Sequence, residues 1–360
     1  MDRTIRIIPK GFILVFFILF FSCCMSIGDT LEYEFSVAAS SPSQDSIYIR
    51  WESKTTRGSY QIFWQSNNTE EYEYLATINN SNSYTDTGLQ PSTRYSYKIA
   101  YRNGNDVVEF IGDSFFAVTQ PHLIAHRGFW GFDGIPENSI ASLQAAAELE
   151  VYGSEFDVHL TADNVPVVYH DYVIEGTDIY ISEVTYNKIR DIVLPNGERV
   201  PTLDEYLEAA KALPIRLILD LKSYNILVRD REAARLVIDR VKYYGLEDRV
   251  EYIAFNLETG KELICLQPDS NVGYLNGDLV LAELKKYGFS TLAYPFETIQ
   301  SNPQYITEAK ELGLAISAWT VNDLSLMESL NNLGVGFIIT DIPLQAKEYF
   351  KQRVYQYYFN

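Results

Sequence analysis

The sequence predicts a two-domain protein: a small all-β sandwich followed by an α/β TIM barrel. From 31 to 119, apolar and polar residues alternate with the period of half-buried strands, as in Ile47, Ile49 and Trp51, or Tyr95, Tyr97, Ile99 and Tyr101. From 121 to 352 the pattern changes to short apolar runs separated by helical periodicity, in about eight units, which is the repeat of a closed parallel barrel. A chain of 360 residues, 47% hydrophobic, can bury two cores.

The N-terminal segment reads as an export signal spanning 1–24. Arg3, Arg6 and Lys10 precede an apolar run at 11–21, and the small residue Ser22 precedes Cys23. That run is shorter than the roughly 20 residues a membrane span needs. Residues Phe20-Phe21-Ser22-Cys23 resemble a bacterial lipobox, with Phe where Leu is usual. The resemblance implies a lipid on Cys23, or alternatively Cys24, and an exported lipoprotein anchored at the bacterial cell envelope, otherwise periplasmic or secreted. Cys265 stands alone in an apolar stretch and is expected as a small buried hydrophobe.

Asn, Gly, Ser and Pro clusters at 66–68, 79–83 and 103–105 separate the strands of the β domain, assigned to 31–119. The stretch 88–97 resembles the corner and strand of fibronectin type III domains, and Trp51 stands where such domains place a core Trp. No cluster of titratable groups appears here. A spacer or a binding module, with a protein or carbohydrate contact, is the expected role.

Strands of the barrel domain, 121–352, are expected at 123–125, 154–160, 215–221, 250–256, 272–275, 291–294, 315–320 and 336–340. Thr202 and Glu205 form a capping box at a helix start between them. A further strand at 165–169 follows the second after only four residues, too few for a parallel crossover, so the pair should be an antiparallel hairpin. Its return brings His170 back toward Glu155 and Asp157.

The chemistry concentrates where barrel active sites lie, at the C-terminal strand ends. All four histidines, His122, His126, His159 and His170, fall within 121–171. Glu155 and Asp157 share one strand face and Asp220 ends the next strand. Three carboxylates on one surface repel unless a hard divalent cation, Ca²⁺ or Mg²⁺, joins them; pairing with Arg127 or Lys222 is the plainer alternative. Arg127 and Lys222 suit an anionic phosphate. His126 and His170 suit a general base and general acid on opposite sides of phosphorus. His159 lies behind the mouth and His122 on the surface. Glu137 and Asn138 either cap the helix that follows or, with Phe255 and Trp319, rim the substrate or stand behind the groups that touch it. Phe129, Trp130 and Phe132 read as exposed apolar residues at the mouth. A net charge of −19 argues against a nucleic-acid partner.

Residues 126–128 (His-Arg-Gly), 136–139 (Pro-Glu-Asn-Ser), 155–163, 167–171, 201–203, 318–322 and 340–343 together resemble the glycerophosphodiester phosphodiesterase family, in order, over about 123–349. The resemblance implies a metal-dependent TIM-barrel phosphodiesterase that releases an alcohol from sn-glycerol 3-phosphate diesters. It further implies His126 and His170 as the acid/base pair, Glu155, Asp157 and Asp220 as ligands of one divalent cation, and Arg127 and Lys222 as phosphate ligands. The family usually has Glu where Asp220 stands, one methylene longer, which leaves the choice between Ca²⁺ and Mg²⁺ open. Lysophospholipid- or sphingolipid-directed hydrolysis by the same barrel, or a non-catalytic surface-binding protein, are the alternatives.

Overall fold

A computed structural model describes residues 6–7, 35–53, 59–66, 71–103 and 107–359. Cys23, Cys24 and nearly all of the expected signal lie outside them. The chain divides into two compact units, 1–120 with 348–360, and 121–347.

In the first unit, β1 (Arg6–Ile7), β2 (Phe35–Ser43), β3 (Ser46–Ser53), β4 (Ser59–Ser66), β5 (Glu73–Asn79), β6 (Ser83–Thr87), β7 (Arg94–Asn103) and β8 (Val107–Val118) are joined by a strand from the far end of the chain, Val354–Phe359. One sheet runs β5-β4-β7-β8; the other contains β3 between β2 and β6, with Val354–Phe359 between β1 and β2. The alternating positions point inward: Ile47, Ile49, Trp51, Tyr97 and Ile99 are all essentially buried in one core. The Tyr95 hydroxyl accepts from the Gln90 N–H at 3.0 Å and closes the corner ahead of β7. Nothing in the alternation at 31–119 announces the C-terminal strand, because its partner is more than 300 residues away.

The second unit is a closed barrel. Its parallel strands are β9 (His122–Ala125), β10 (Gly153–Leu160), β12 (Arg216–Leu221), β13 (Val250–Ala254), β14 (Val272–Tyr274), β15 (Thr291–Pro295), β16 (Ala315–Trp319) and β17 (Phe337–Thr340), and β9 pairs with both β10 and β17. The short β11 (Pro166–Val168) pairs antiparallel with β10 in the register Val158↔Val168, the hairpin the four-residue connection requires. With that strand counted, the C-terminal Val354–Phe359 is β18. Ile124, Ile218, Ile253, Leu275, Ala293 and Ile339 cluster inside the barrel, and Thr202 and Glu205 make the reciprocal capping box. Among the described residues no helix is long and apolar enough to cross a membrane.

Three expectations change. Cys265 is exposed, because its helix Leu257–Leu266 buries Thr259, Gly260 and Leu263 instead. His122 is half-buried rather than on the surface, its ring 4.2 Å from that of Tyr152 and 4.9 Å from that of Phe337. Phe129, Trp130 and Phe132 are half-buried rather than exposed: the rings of Phe129 and Phe132 pack together at 4.2 Å, and Trp130 donates to the His126 carbonyl at 2.9 Å. The connection between His170 and Pro201 builds a core of its own from Ile174, Ile181, Ile189 and Val200 against Val167.

Candidate active site

The turn after β9 starts the site. Arg127 adopts a left-handed backbone at φ 56° and Gly128 follows at φ 83°, where a Cβ would lie 2.3 Å from Ser142 Oγ. Only glycine fits there. The turn aims the Arg127 N–H at Glu155 Oε2, 2.8 Å away. The same Arg127 guanidinium donates through Nη1 to both oxygens of Glu137, at 3.0 and 2.8 Å, and through Nη2 to His170 Nε2 at 2.8 Å. Its Nε is buried without a hydrogen-bond partner.

Glu155, Asp157 and Asp220 converge at adjacent positions of β10 and β12, since Asp157 pairs with Asp220 in the register. All three are buried, and one oxygen of each lies within 4.8 Å of the others. Lys222 Nζ bridges two of them, 2.5 Å from Asp157 Oδ1 and 2.6 Å from Asp220 Oδ2. Burial acts against the Lys222 ammonium, but the two aspartates outweigh it and hold its pKa above the ordinary lysine value. Burial, with Asp157 and Asp220 nearby, pushes the Glu155 carboxyl well above the usual range. Burial likewise lifts Asp220 to about 6 despite Lys222. Asp157 goes the other way: burial raises it, and the Lys222 ammonium, followed by His170, lowers it further.

These residues fit a hard cation. Asp220 Oδ1 is buried with no hydrogen-bond partner, which is costly unless a ligand meets it, and the donor set is all oxygen. Glu155, Asp157 and Asp220 would hold the ion. The Lys222 ammonium sits among the three carboxylates, and the Arg127 guanidinium, 3.9 Å from Asp157, is shared with Glu137.

Asn138 is not the helix cap. Ser139 caps the helix Ile140–Glu148, and Asn138, 2% exposed, instead fastens Asp157: Nδ2 donates to Oδ2 at 2.8 Å and Oδ1 accepts the Asp157 N–H at 3.0 Å. Glu137 pairs with Arg127 as described. Phe255 and Trp319 meet edge to face at 5.5 Å beyond β13 and at the end of β16, and Phe255 is 42% exposed. The Lys222 ammonium lies 5.9 Å from the Phe255 ring.

His159 is fully buried. A carbonyl only accepts, so its Nε2–H donates to the His170 carbonyl at 3.0 Å, and Nδ1 accepts from the Tyr224 hydroxyl at 2.9 Å. Burial lowers its pKa to about 4. It pins the returning hairpin arm as a neutral ring. Both remaining site histidines carry a carboxylate on Nδ1: His126 with Asp341 at 2.7 Å, and His170 with Asp171 at 2.7 Å. A guanidinium cannot accept, so His170 Nε2 is unprotonated where Arg127 donates to it.

Sequence reasoning gave no role to Asp341, Asn322, Asp171 or Tyr224. Their signal was weak but present: Thr340-Asp341 ends the last barrel strand and Asp171 directly follows His170, yet which acid meets which ring depends on the turns.

The glycerophosphoryl diester phosphodiesterase family model matches residues 126–345. A glycerophosphodiester phosphodiesterase of Caldanaerobacter subterraneus is 30% identical over 233 residues, 61% of this chain and 94% of the relative. The solved structure of a glycerophosphodiester phosphodiesterase from Parabacteroides distasonis is 48% identical with a TM-score of 0.62, covering 64% of this chain and 96% of that one. A phosphodiesterase of Oleispira antarctica, solved in complex with the product sn-glycerol-3-phosphate, is 25% identical with a TM-score of 0.58, covering 63% of this chain and 95% of that one. With a matching family model over more than half of its length and the strand-end carboxylates and histidines in place, this chain belongs to the glycerophosphoryl diester phosphodiesterase family.

Proposed function

We propose that this protein hydrolyses glycerophosphodiesters to sn-glycerol 3-phosphate and an alcohol, with His126 and His170 exchanging the protons. The observation that carries the reading is the buried Glu155, Asp157 and Asp220 cluster beside the contact of Arg127 with His170. The divalent cation, Ca²⁺ or Mg²⁺, would supply Lewis-acid stabilisation of charge on the phosphoryl oxygens. Arg127 is held by Glu137 so that its guanidinium faces His170, where it can meet a phosphate oxygen. Lys222 adds a second positive charge at the carboxylates. One histidine takes the proton of a water or of the glycerol 2-hydroxyl as its oxygen bonds to phosphorus, and the other gives a proton to the departing alcohol oxygen as that P–O bond breaks; where the 2-hydroxyl attacks, a water then opens the resulting cyclic phosphate at the 2-oxygen, with the two histidines exchanging the proton roles.

A second reading, hydrolysis of lysophospholipids or sphingolipids, is favoured by the exposed Phe255 against Trp319, since aromatic rings at a mouth suit an acyl chain. Turnover of glycerophosphocholine, glycerophosphoethanolamine and lysophosphatidylcholine with Ca²⁺, Mg²⁺ or EDTA tests both. Preference for the water-soluble diesters, abolished by EDTA and lowered at least ~10²-fold in His126→Ala or His170→Ala, is the expected outcome. Metal-independent turnover, or none with any diester, would overturn the proposal.

The same reading makes the protein an exported lipoprotein anchored through Cys23, supported by the order of basic, apolar and small residues at 1–24. Incorporation of labelled palmitate that Cys23→Ser abolishes is the check. It also makes the β domain fibronectin type III-like, supported by the β5-β4-β7-β8 sheet and the Tyr95 corner, with a protein or carbohydrate as its contact.

A further inference from the structure

We propose that Asp341, oriented by Asn322, is a positioning residue that fixes His126 as its Nδ1–H tautomer and so presents Nε2 to the reacting oxygen. The inference rests on the glycerophosphodiesterase reading of this site for its kinetic part, but not for its tautomer.

The orientation of each group follows from its neighbours. Asn322 Oδ1 accepts from the Asp341 backbone N–H at 2.9 Å and from the Thr340 hydroxyl at 3.1 Å. A backbone N–H can only donate, so the oxygen of the Asn322 amide is identified and its Nδ2 must face the other way. That Nδ2 donates to Asp341 Oδ2 at 2.6 Å. Asp341 then has Oδ1 for His126 Nδ1, at 2.7 Å. A carboxylate accepts, so the ring nitrogen it meets carries the hydrogen. Burial works against the Asp341 carboxylate, but the hydrogen bonds from His126 and Asn322 outweigh it and keep it below the ordinary value, in the ionised form that the arrangement needs.

The backbone makes the placement rigid. His126 N–H donates to the Thr340 carbonyl at 3.0 Å, which binds the end of β9 to the residue before Asp341. The Trp130 indole N–H holds the His126 carbonyl. These contacts fix the His126 backbone, and with Nδ1 taken by Asp341 only Nε2 remains to take or give a proton.

Asp341→Asn is therefore not a silent isostere. Asn322 Nδ2 requires an acceptor, so the new amide must turn its oxygen toward Asn322 and its NH2 toward His126. Nδ1 then has to accept, and the hydrogen moves to Nε2. The nitrogen meant for the substrate becomes a donor in the neutral ring. Replacing the orienting acid by its amide in a serine protease, the comparable case, lowers kcat by about 10⁴-fold through the wrong tautomer.

The test uses the full chain with ¹⁵N-labelled histidine, in which four histidines give an assignable spectrum. Long-range ¹H–¹⁵N correlation should show His126 with Nδ1 protonated in the wild type and Nε2 protonated in Asp341→Asn. With glycerophosphocholine, kcat should fall at least ~10²-fold in Asp341→Asn while KM stays within about threefold, and Asp341→Glu should recover part of kcat. A wild-type His126 protonated on Nε2, or an Asp341→Asn enzyme with unchanged kcat and tautomer, would overturn the proposal. If the wild type turns over no glycerophosphodiester, the functional reading fails, and the tautomers of the two proteins still decide what Asp341 does.

Discussion

Asn138 holds Asp157 from two sides at once, donating to its carboxylate at 2.8 Å and accepting its backbone N–H at 3.0 Å. Asp157 lies within β10; Lys222 holds its Oδ1 at 2.5 Å, while Oδ2 lies 3.9 Å from Arg127 Nε and is the oxygen that Asn138 fixes. The amide therefore sets where the oxygens lie, and the left-handed backbone at φ 54° suits Asn better than most residues.

Asn138→Asp should weaken divalent-ion binding by about 10- to 100-fold, the effect expected when a ligand loses its supporting hydrogen bond. The substitution keeps an oxygen for the Asp157 N–H and a residue tolerant of the left-handed region, but it replaces the donor with an acceptor. Isothermal titration of the EDTA-stripped protein with Ca²⁺ and Mg²⁺ measures it. An unchanged Kd would remove Asn138 from the support of the ion.

Lys222 stands between Asp157 and Asp220, and all three are buried. Lys222→Met leaves two buried carboxylates facing each other without their cation. Breaking such a pair costs about 3–5 kcal/mol, so the variant should unfold at a clearly lower temperature in EDTA. Saturating Ca²⁺ or Mg²⁺ should then raise its Tm more than it raises that of the wild type. Equal metal-induced shifts in both proteins would show that Lys222 and the ion do not share the carboxylates.

The periodicity at 31–119 and 121–352, together with the four-residue hairpin connection, was enough to read both folds, because alternation and βα repeats are local. The carboxylate cluster was legible for the same reason: Glu155 and Asp157 are two apart on one strand and Asp220 ends the next. What the sequence hid depends on turns and on long-range pairing. Asn138 looked like a cap because it precedes a helix, but the left-handed turn moves the capping role to Ser139. His122 looked exposed because it precedes an apolar run, yet Tyr152 and Phe337 enclose it. The β18 strand could not be paired from sequence, since nothing near it in the chain resembles a hairpin partner.

That strand supplies a prediction of its own. β18 aligns six residues with β2, from Val354↔Ser40 to Phe359↔Phe35, and it buries Tyr355 in the β-domain core. Gly112 adopts φ +68°, and a Cβ there would lie 2.6 Å from the ring of Phe359. Gly112→Val should thus displace Phe359, and deleting 354–360 should do more, since losing one buried aromatic side chain alone costs about 3–5 kcal/mol. Trypsin should cut the β domain of the truncated protein much faster than that of the wild type. Equal cleavage rates would mean that the sandwich stands without residues 354–360.

His159 makes stability depend on pH in a defined window. Its ring is neutral in the folded protein, with a pKa lowered to about 4, whereas an unfolded histidine titrates near ~6.5. Between those values the unfolded chain binds the extra proton and the folded chain does not, so stability falls as pH drops from ~6.5 toward 4 and is retained above ~6.5. The full difference amounts to about 3 kcal/mol by linkage. In EDTA, urea unfolding of the wild type followed from pH 7.5 to 4.5 should show this loss, and His159→Gln, which has no titrating ring, should show a shallower slope over the same interval. A parallel slope in the variant would assign the acid sensitivity to other groups and leave His159 without the buried, neutral state that its bonds to Tyr224 and to the His170 carbonyl require.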